Sequence, residues 1–157
     1  FDGDEFCVDY MYFRNTILNA SAVIFSKANI QPEMLDKIQG FKLSGDHLFW
    51  VQLMKDQKIG VLDKKLNYFR WHQKSVRVAE SNNLIELLEG IRIKKWMENN
   101  FRIGSPKMLH ARRDVYLAYC KYLKIGTIAK EQSEFFKVWA FLNPLYKLKS
   151  LIRYISV

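Results

Sequence analysis

The spacing of apolar residues changes about halfway along the chain. Up to about Val78, short apolar runs alternate with turn residues, and from Ser81 onward the apolar positions recur at helical spacing. Thr16 to Phe25 (Thr-Ile-Leu-Asn-Ala-Ser-Ala-Val-Ile-Phe) is rich in β-branched residues and predicts a strand. Gln31-Pro32-Glu33-Met34-Leu35 puts proline in a first helical turn, and Gly40 ends that short helix. Asp46 stands where an N-cap belongs, and Leu48, Phe49, Val51, Leu53 and Met54 build an apolar helix to about Asp56. Ile59 to Leu62 and Leu66 to Trp71 predict two strands, joined as a hairpin by Asp63-Lys64-Lys65.

In the second half, Leu84, Leu87, Leu88 and Ile91 share one side of a helix that Trp96 and Met97 extend. Ser105-Pro106 opens another helix carrying Leu109, Tyr116, Tyr119 and Leu123, which stops at Gly126. A third covers roughly residues 130–142. In the last segment Asn143 caps and Pro144 starts a helix. Leu145, Leu148, Ile152 and Ile155 line one side of it, and Lys147, Lys149 and Arg153 occupy the other. Such a basic amphipathic helix suits either its own domain's core or an anionic membrane interface. The pattern divides the chain into residues 1–80, an α/β part, and residues 81–157, a helical C-terminal region.

An apolar share of 49% in 157 residues is enough for a folded core. The net charge of +9 favours anionic partners such as sugar nucleotides, lipid headgroups or nucleic acid. Cys7 and Cys120 are too few and too far apart for a disulfide framework or a zinc site, and they predict free thiols in a reducing compartment. No run of about 20 apolar residues is present to span a bilayer. The opening Phe1-Asp2-Gly3-Asp4-Glu5 carries no initiator methionine and no signal peptide, as expected of a cut inside a longer protein.

Candidate chemistry concentrates in two stretches. Ser44-Gly45-Asp46-His47-Leu48-Phe49-Trp50 puts one carboxylate at the mouth of an apolar helix. The helix dipole favours the charged form of such a group, which suits it to accept a proton. An ordinary N-cap, worth about 1 kcal/mol, is the plainer role. His47 beside it is expected at the surface. Tyr68-Phe69-Arg70-Trp71-His72-Gln73-Lys74-Ser75 ends a strand in a basic, imidazole-bearing corner. Arg70 and His72 share one strand face and suit a diphosphate or a metal-bound diphosphate. A hydrogen-bonded structural histidine is the alternative for His72. Lys94-Lys95 and Arg112-Arg113 are short pairs on solvated helix faces, without a nucleic-acid-binding signature. Asn19-Ala20-Ser21 matches a glycosylation acceptor but lies inside an apolar run. No glycine-rich phosphate loop, zinc-spaced Cys/His set or Asp-x-Asp at a strand end is present.

Residues 15 to 78 resemble the C-terminal half of a bacterial family 2 glycosyltransferase. The resemblance rests on Asn15 to Phe25, on Ser44 to Trp50, and on Leu66 to His72 with Ser75, in the family's order. It implies the acceptor-side half of a GT-A nucleotide-diphospho-sugar transferase, usually inverting, followed by a helical extension. Under it, Asp46 is the base that deprotonates the acceptor hydroxyl. Arg70 and His72 meet the donor diphosphate, His72 also approaching a divalent metal (Mg2+ or Mn2+), and Asn19 and Ser21 line the acceptor side. The family often has Glu-Asp at this helix start, whereas Gly45 precedes Asp46 here. The nucleotide-binding half with its Asp-x-Asp is missing, so the isolated chain is expected to have no turnover. The expected setting is surface polysaccharide synthesis from a nucleotide sugar to a glycan or lipid-linked acceptor. The expected place is cytoplasmic, peripheral at the inner membrane face through residues 143–157. Exposed strand edges are expected to drive homo-oligomerisation. The rival expectation is a basic helical binding module for nucleic acid or an anionic membrane surface.

Overall fold

A computed structural model describes residues 1–66, 84–124, 138, 141–142 and 144–155. Six α-helices organise them: α1 (Gly3–Phe6), α2 (Pro32–Ile38), α3 (Gly45–Met54), α4 (Ile85–Asn100), α5 (Ser105–Lys124) and α6 (Pro144–Ile155). α1 runs directly into a π-helical turn, Cys7–Met11, and two 3-10 turns, Ala20–Ala22 and Lys27–Asn29, precede α2. Asp2 starts the first helix: its Oδ1 accepts the backbone N–H groups of Asp4 and Glu5 at 3.0 and 3.2 Å.

The expected α/β fold is not what forms. Among the described residues there is no sheet, and the one β feature is an isolated antiparallel bridge between Asp2 and Lys58. The stretch from Thr16 to Phe25 has extended backbone at Asn19 and Val23, but a 3-10 turn at Ala20–Ala22 interrupts it. The cause is local: the Asn19 side-chain carbonyl takes the Ser21 N–H at 3.0 Å, closing an Asx turn where a strand would need that donor for a ladder. Leu18 and Ile24 consequently stay exposed. The first arm of the expected hairpin, Ile59 to Leu62, is also no strand, and Val61 and Leu62 lie exposed. The second arm falls almost wholly outside the described residues. Among the described residues there is no sheet edge of the kind on which the expected self-association rested.

The helical half follows the sequence period closely. α4 begins one residue after Leu84, and α5 begins at Ser105 with Pro106 in its first turn. The expected stop at Gly126 lies outside the described residues, as does most of the helix expected over 130–142.

Two hydrophobic clusters hold the elements together. The first joins Cys7, Met11 and Tyr12 to Leu48, Trp50, Val51, Leu53 and Met54 of α3, and to Ile93 and Met97 of α4. α3 is apolar nearly all round, and it is accordingly buried over most of its length. The second cluster joins Ile91 of α4 to Val115, Tyr116, Tyr119 and Cys120 of α5, with Val138, Phe141 and Leu142. α4 therefore contributes to both.

Polar clamps fix the approach of these helices. The Arg112 guanidinium makes a two-pronged pair with Glu98, 3.0 Å on each arm, and the Tyr12 hydroxyl donates to the same carboxylate. Gly3 lies against the end of α3, where a methyl group would meet the carbonyl oxygens of Met54 and Gln57.

Candidate functional site

The loop entering α3 is held from behind by a buried acid. Glu89 of α4 accepts the backbone N–H of Lys42 at 2.6 Å, of Leu43 at 3.0 Å and of Ser44 at 2.7 Å. Three successive amides converging on one carboxylate form an anion nest whose occupant is the protein's own side chain. This fixes the direction in which α3 begins.

Ser44 is the N-cap by backbone geometry, so Asp46 sits two positions further along than expected, within the first turn. The difference matters to its side chain. Asp46 Oδ1 accepts the His47 N–H at 2.7 Å, and Oδ2 accepts from Asn15 Nδ2 at 3.3 Å. The residue is exposed. Each carboxylate oxygen has two lone pairs, so each can still accept a proton or a further hydrogen bond.

His47 reverses the expectation of a surface residue. It is buried, and its Nε2 lies 2.9 Å from the Met11 carbonyl oxygen. A carbonyl can only accept, so Nε2 carries the hydrogen in the neutral ring. Burial pulls its pKa down to about 4, with the Lys94 charge adding to the effect and the Met11 bond opposing it.

A cleft of about 290 Å³ opens at this helix start, and Asn15, Ser44, Asp46, His47, Glu86 and Lys94 are among its lining residues. Lys94 was expected on a solvated face together with Lys95. Lys95 is exposed, but Lys94 turns inward and reaches the Phe13 carbonyl oxygen at 3.5 Å. Burial lowers its pKa, against the opposing charges of Asp114 and Glu98. An inward amine, a neutral imidazole behind, and an exposed carboxylate at the rim thus share one cleft with the apolar side chains of Phe13, Leu87 and Val115.

The other sequence candidates are placed less centrally. Asn19 caps the turn that breaks the expected strand, Ser21 is exposed on that turn, and neither lines this cleft. Arg70, His72 and Ser75 lie outside the described residues. Asn15 and Lys94 are the residues that sequence reading missed. Asn15 had a visible signal, as the first residue of the quoted Asn15 to Phe25 motif; Lys94 had none.

A second, larger cleft of about 600 Å³ lies between α1 and the ends of α3 and α4, with Asp4, Glu5, Asp9 and Asp56 in its wall. Three of these acids are already engaged: Asp4 accepts the Asp56 N–H at 2.8 Å, Asp9 pairs with Lys107, and Asp56 pairs with Lys55. Asp2-Gly3-Asp4 spells an Asp-x-Asp, but Asp2 caps α1 and pairs with Lys58 at 3.0 Å. Among the described residues no group of three or more His, Cys, Asp or Glu side chains is arranged to hold a metal. No helix among them is long and apolar enough to cross a membrane.

No family model, no curated protein and no solved structure matches the chain.

Proposed function

We propose that the chain carries the acceptor side of a nucleotide-sugar-dependent glycosyl transfer site, with Asp46 as its general base. The observation that supports this most is the placement of Asp46: exposed at the rim of a cleft that Lys94 and His47 also line, in the first turn of a buried helix, and held by Asn15. In this reading an acceptor hydroxyl passes its proton to Asp46 as its oxygen bonds to the anomeric carbon of the donor. The bond from that carbon to the diphosphate breaks, the nucleoside diphosphate leaves with the electron pair, and the configuration inverts. A positioned base contributes about 10²–10⁴ in rate. In the same reading Arg70 and His72 would meet the diphosphate, and a divalent cation held there would supply positive charge to the leaving group.

The resemblance of Asn15 to Phe25, Ser44 to Trp50, and Leu66 to His72 with Ser75 to family 2 glycosyltransferases supports the same chemistry. The test is sugar transfer from a panel of nucleotide sugars by the whole polypeptide containing this chain. Asp46→Asn should abolish transfer with the circular dichroism spectrum unchanged. Transfer at the parental rate by a folded Asp46→Asn variant overturns the proposal.

A further inference from the structure

α6 meets α5 through Tyr146. Tyr146 stacks on Tyr116 of α5, ring centroids 5.1 Å apart and planes 18° from parallel. At 3.6 residues per turn, Leu148 points about 160° away from Tyr146, and Leu145 about 100°. Both leucines are more than half exposed, at 59% and 57%. The sequence period continues that stripe at positions 152 and 155. Lys149 and Lys147 fall on its two borders, Lys149 exposed and Lys147 half-buried.

We infer that α6 seats this protein on an anionic lipid surface, with Leu145 and Leu148 entering the acyl boundary and Lys149 meeting the headgroups. Charge selects this occupant over a second copy. A like copy would bring a +9 chain and the same lysine borders against one another, whereas anionic headgroups complement both. The helix is 12 residues long, too short to span a bilayer and ample to lie in its interface. Tyr146 stays on the protein side, so docking leaves the α5 contact intact.

The test is co-sedimentation of the full chain with vesicles of equimolar phosphatidylglycerol and phosphatidylcholine, against vesicles of phosphatidylcholine alone. Binding to the mixed vesicles, weakened by salt and absent on the neutral ones, is expected. Lys149→Glu should weaken it at least fivefold, the fold-change equivalent to about 1 kcal/mol per basic residue near such a surface. Leu148→Glu should abolish it, with circular dichroism unchanged because Leu148 contributes little to the core. As a second reading of the same contact, a fluorophore attached at Leu148→Cys should shift to the blue on the mixed vesicles, Cys7 and Cys120 being buried from the label. Equal binding to neutral vesicles, no binding at all, or self-association through this stripe in place of lipid binding overturns the inference. None of these readings depends on sugar transfer.

Discussion

Ser44 donates its backbone N–H to Glu89 Oε2 at 2.7 Å across 45 residues of chain, and Lys42 and Leu43 donate to the same carboxylate. α4 thereby sets where α3 starts, and with it the position of Asp46. Glu89→Ala removes an acceptor shared by three amides and leaves them partly buried without a partner. The expected loss is about 2–3 kcal/mol in urea unfolding, with Glu89→Gln losing less because its amide oxygen still accepts. If the site transfers sugar, Glu89→Gln should also lower kcat without contact to either substrate.

Protonation of His47 opposes folding. Its folded pKa is depressed to about 4 from an ordinary value near 6.5, chiefly by burial. Between those values the unfolded chain binds more protons than the native one, so stability rises with pH across the window. The contribution is complete above about pH 6.5 and is lost progressively as pH falls toward 4, about 3 kcal/mol in all. Urea midpoints measured from pH 7 down to 4 should fall for the parent. The slope should flatten in His47→Gln, whose amide can still donate to the Met11 carbonyl. An unchanged slope in that variant removes His47 from the account.

Arg112 and Glu98 form a largely buried pair, 19% and 13% exposed, with Tyr12 on the same carboxylate. The Arg112 guanidinium also lies 4.8 Å from the Phe141 ring centroid. Arg112→Ala strands the Glu98 charge and gives up that ring contact, for an expected loss of about 3–5 kcal/mol. Arg112→Lys should recover less than half of it, because an ammonium cannot span both carboxylate oxygens in the plane of the pair. Tyr12→Phe should cost only about 1 kcal/mol, since Arg112 still satisfies the acid. Thermal or urea unfolding of the three variants orders them directly.

Periodicity made α4 and α5 legible because each has an apolar side that the body covers at least in part. Leu87, Leu88 and Ile91 of α4, and Tyr116 and Tyr119 of α5, face the second cluster as their spacing predicts. The strand readings of Thr16 to Phe25 and Ile59 to Leu62 failed for a different reason. A β-branched run such as Thr16 to Phe25 forms a strand only when another strand supplies its ladder, and the Asn19 side chain offers the backbone a local substitute. Asp46 could be singled out because a lone acid entering an apolar helix stands out in one dimension. Its partner Asn15 lies 31 residues away, and the inward turn of Lys94 depends on packing against Phe13, 81 residues away. Neither relationship leaves a pattern along the chain.

Asn15 offers the sharpest separation between holding the proposed base and merely holding the fold. Its Oδ1 accepts the Ile17 N–H at 3.0 Å, a local turn, while its Nδ2 reaches Asp46. Asn15→Asp keeps the acceptor for Ile17 and replaces the amide donor by a second carboxylate facing Asp46. Like charges at that range disfavour joint ionisation, so the proton affinity of Asp46 should rise. If Asp46 is the base, the acidic limb of the pH–rate profile should move to higher pH in Asn15→Asp. Asn15→Ser, which keeps a side-chain oxygen for Ile17 and adds no charge, should lower kcat about tenfold and leave that limb in place. Both variants should unfold within about 1 kcal/mol of the parent, because the residue is only half-buried. A profile that does not move in Asn15→Asp, with transfer intact, means that another group takes the proton.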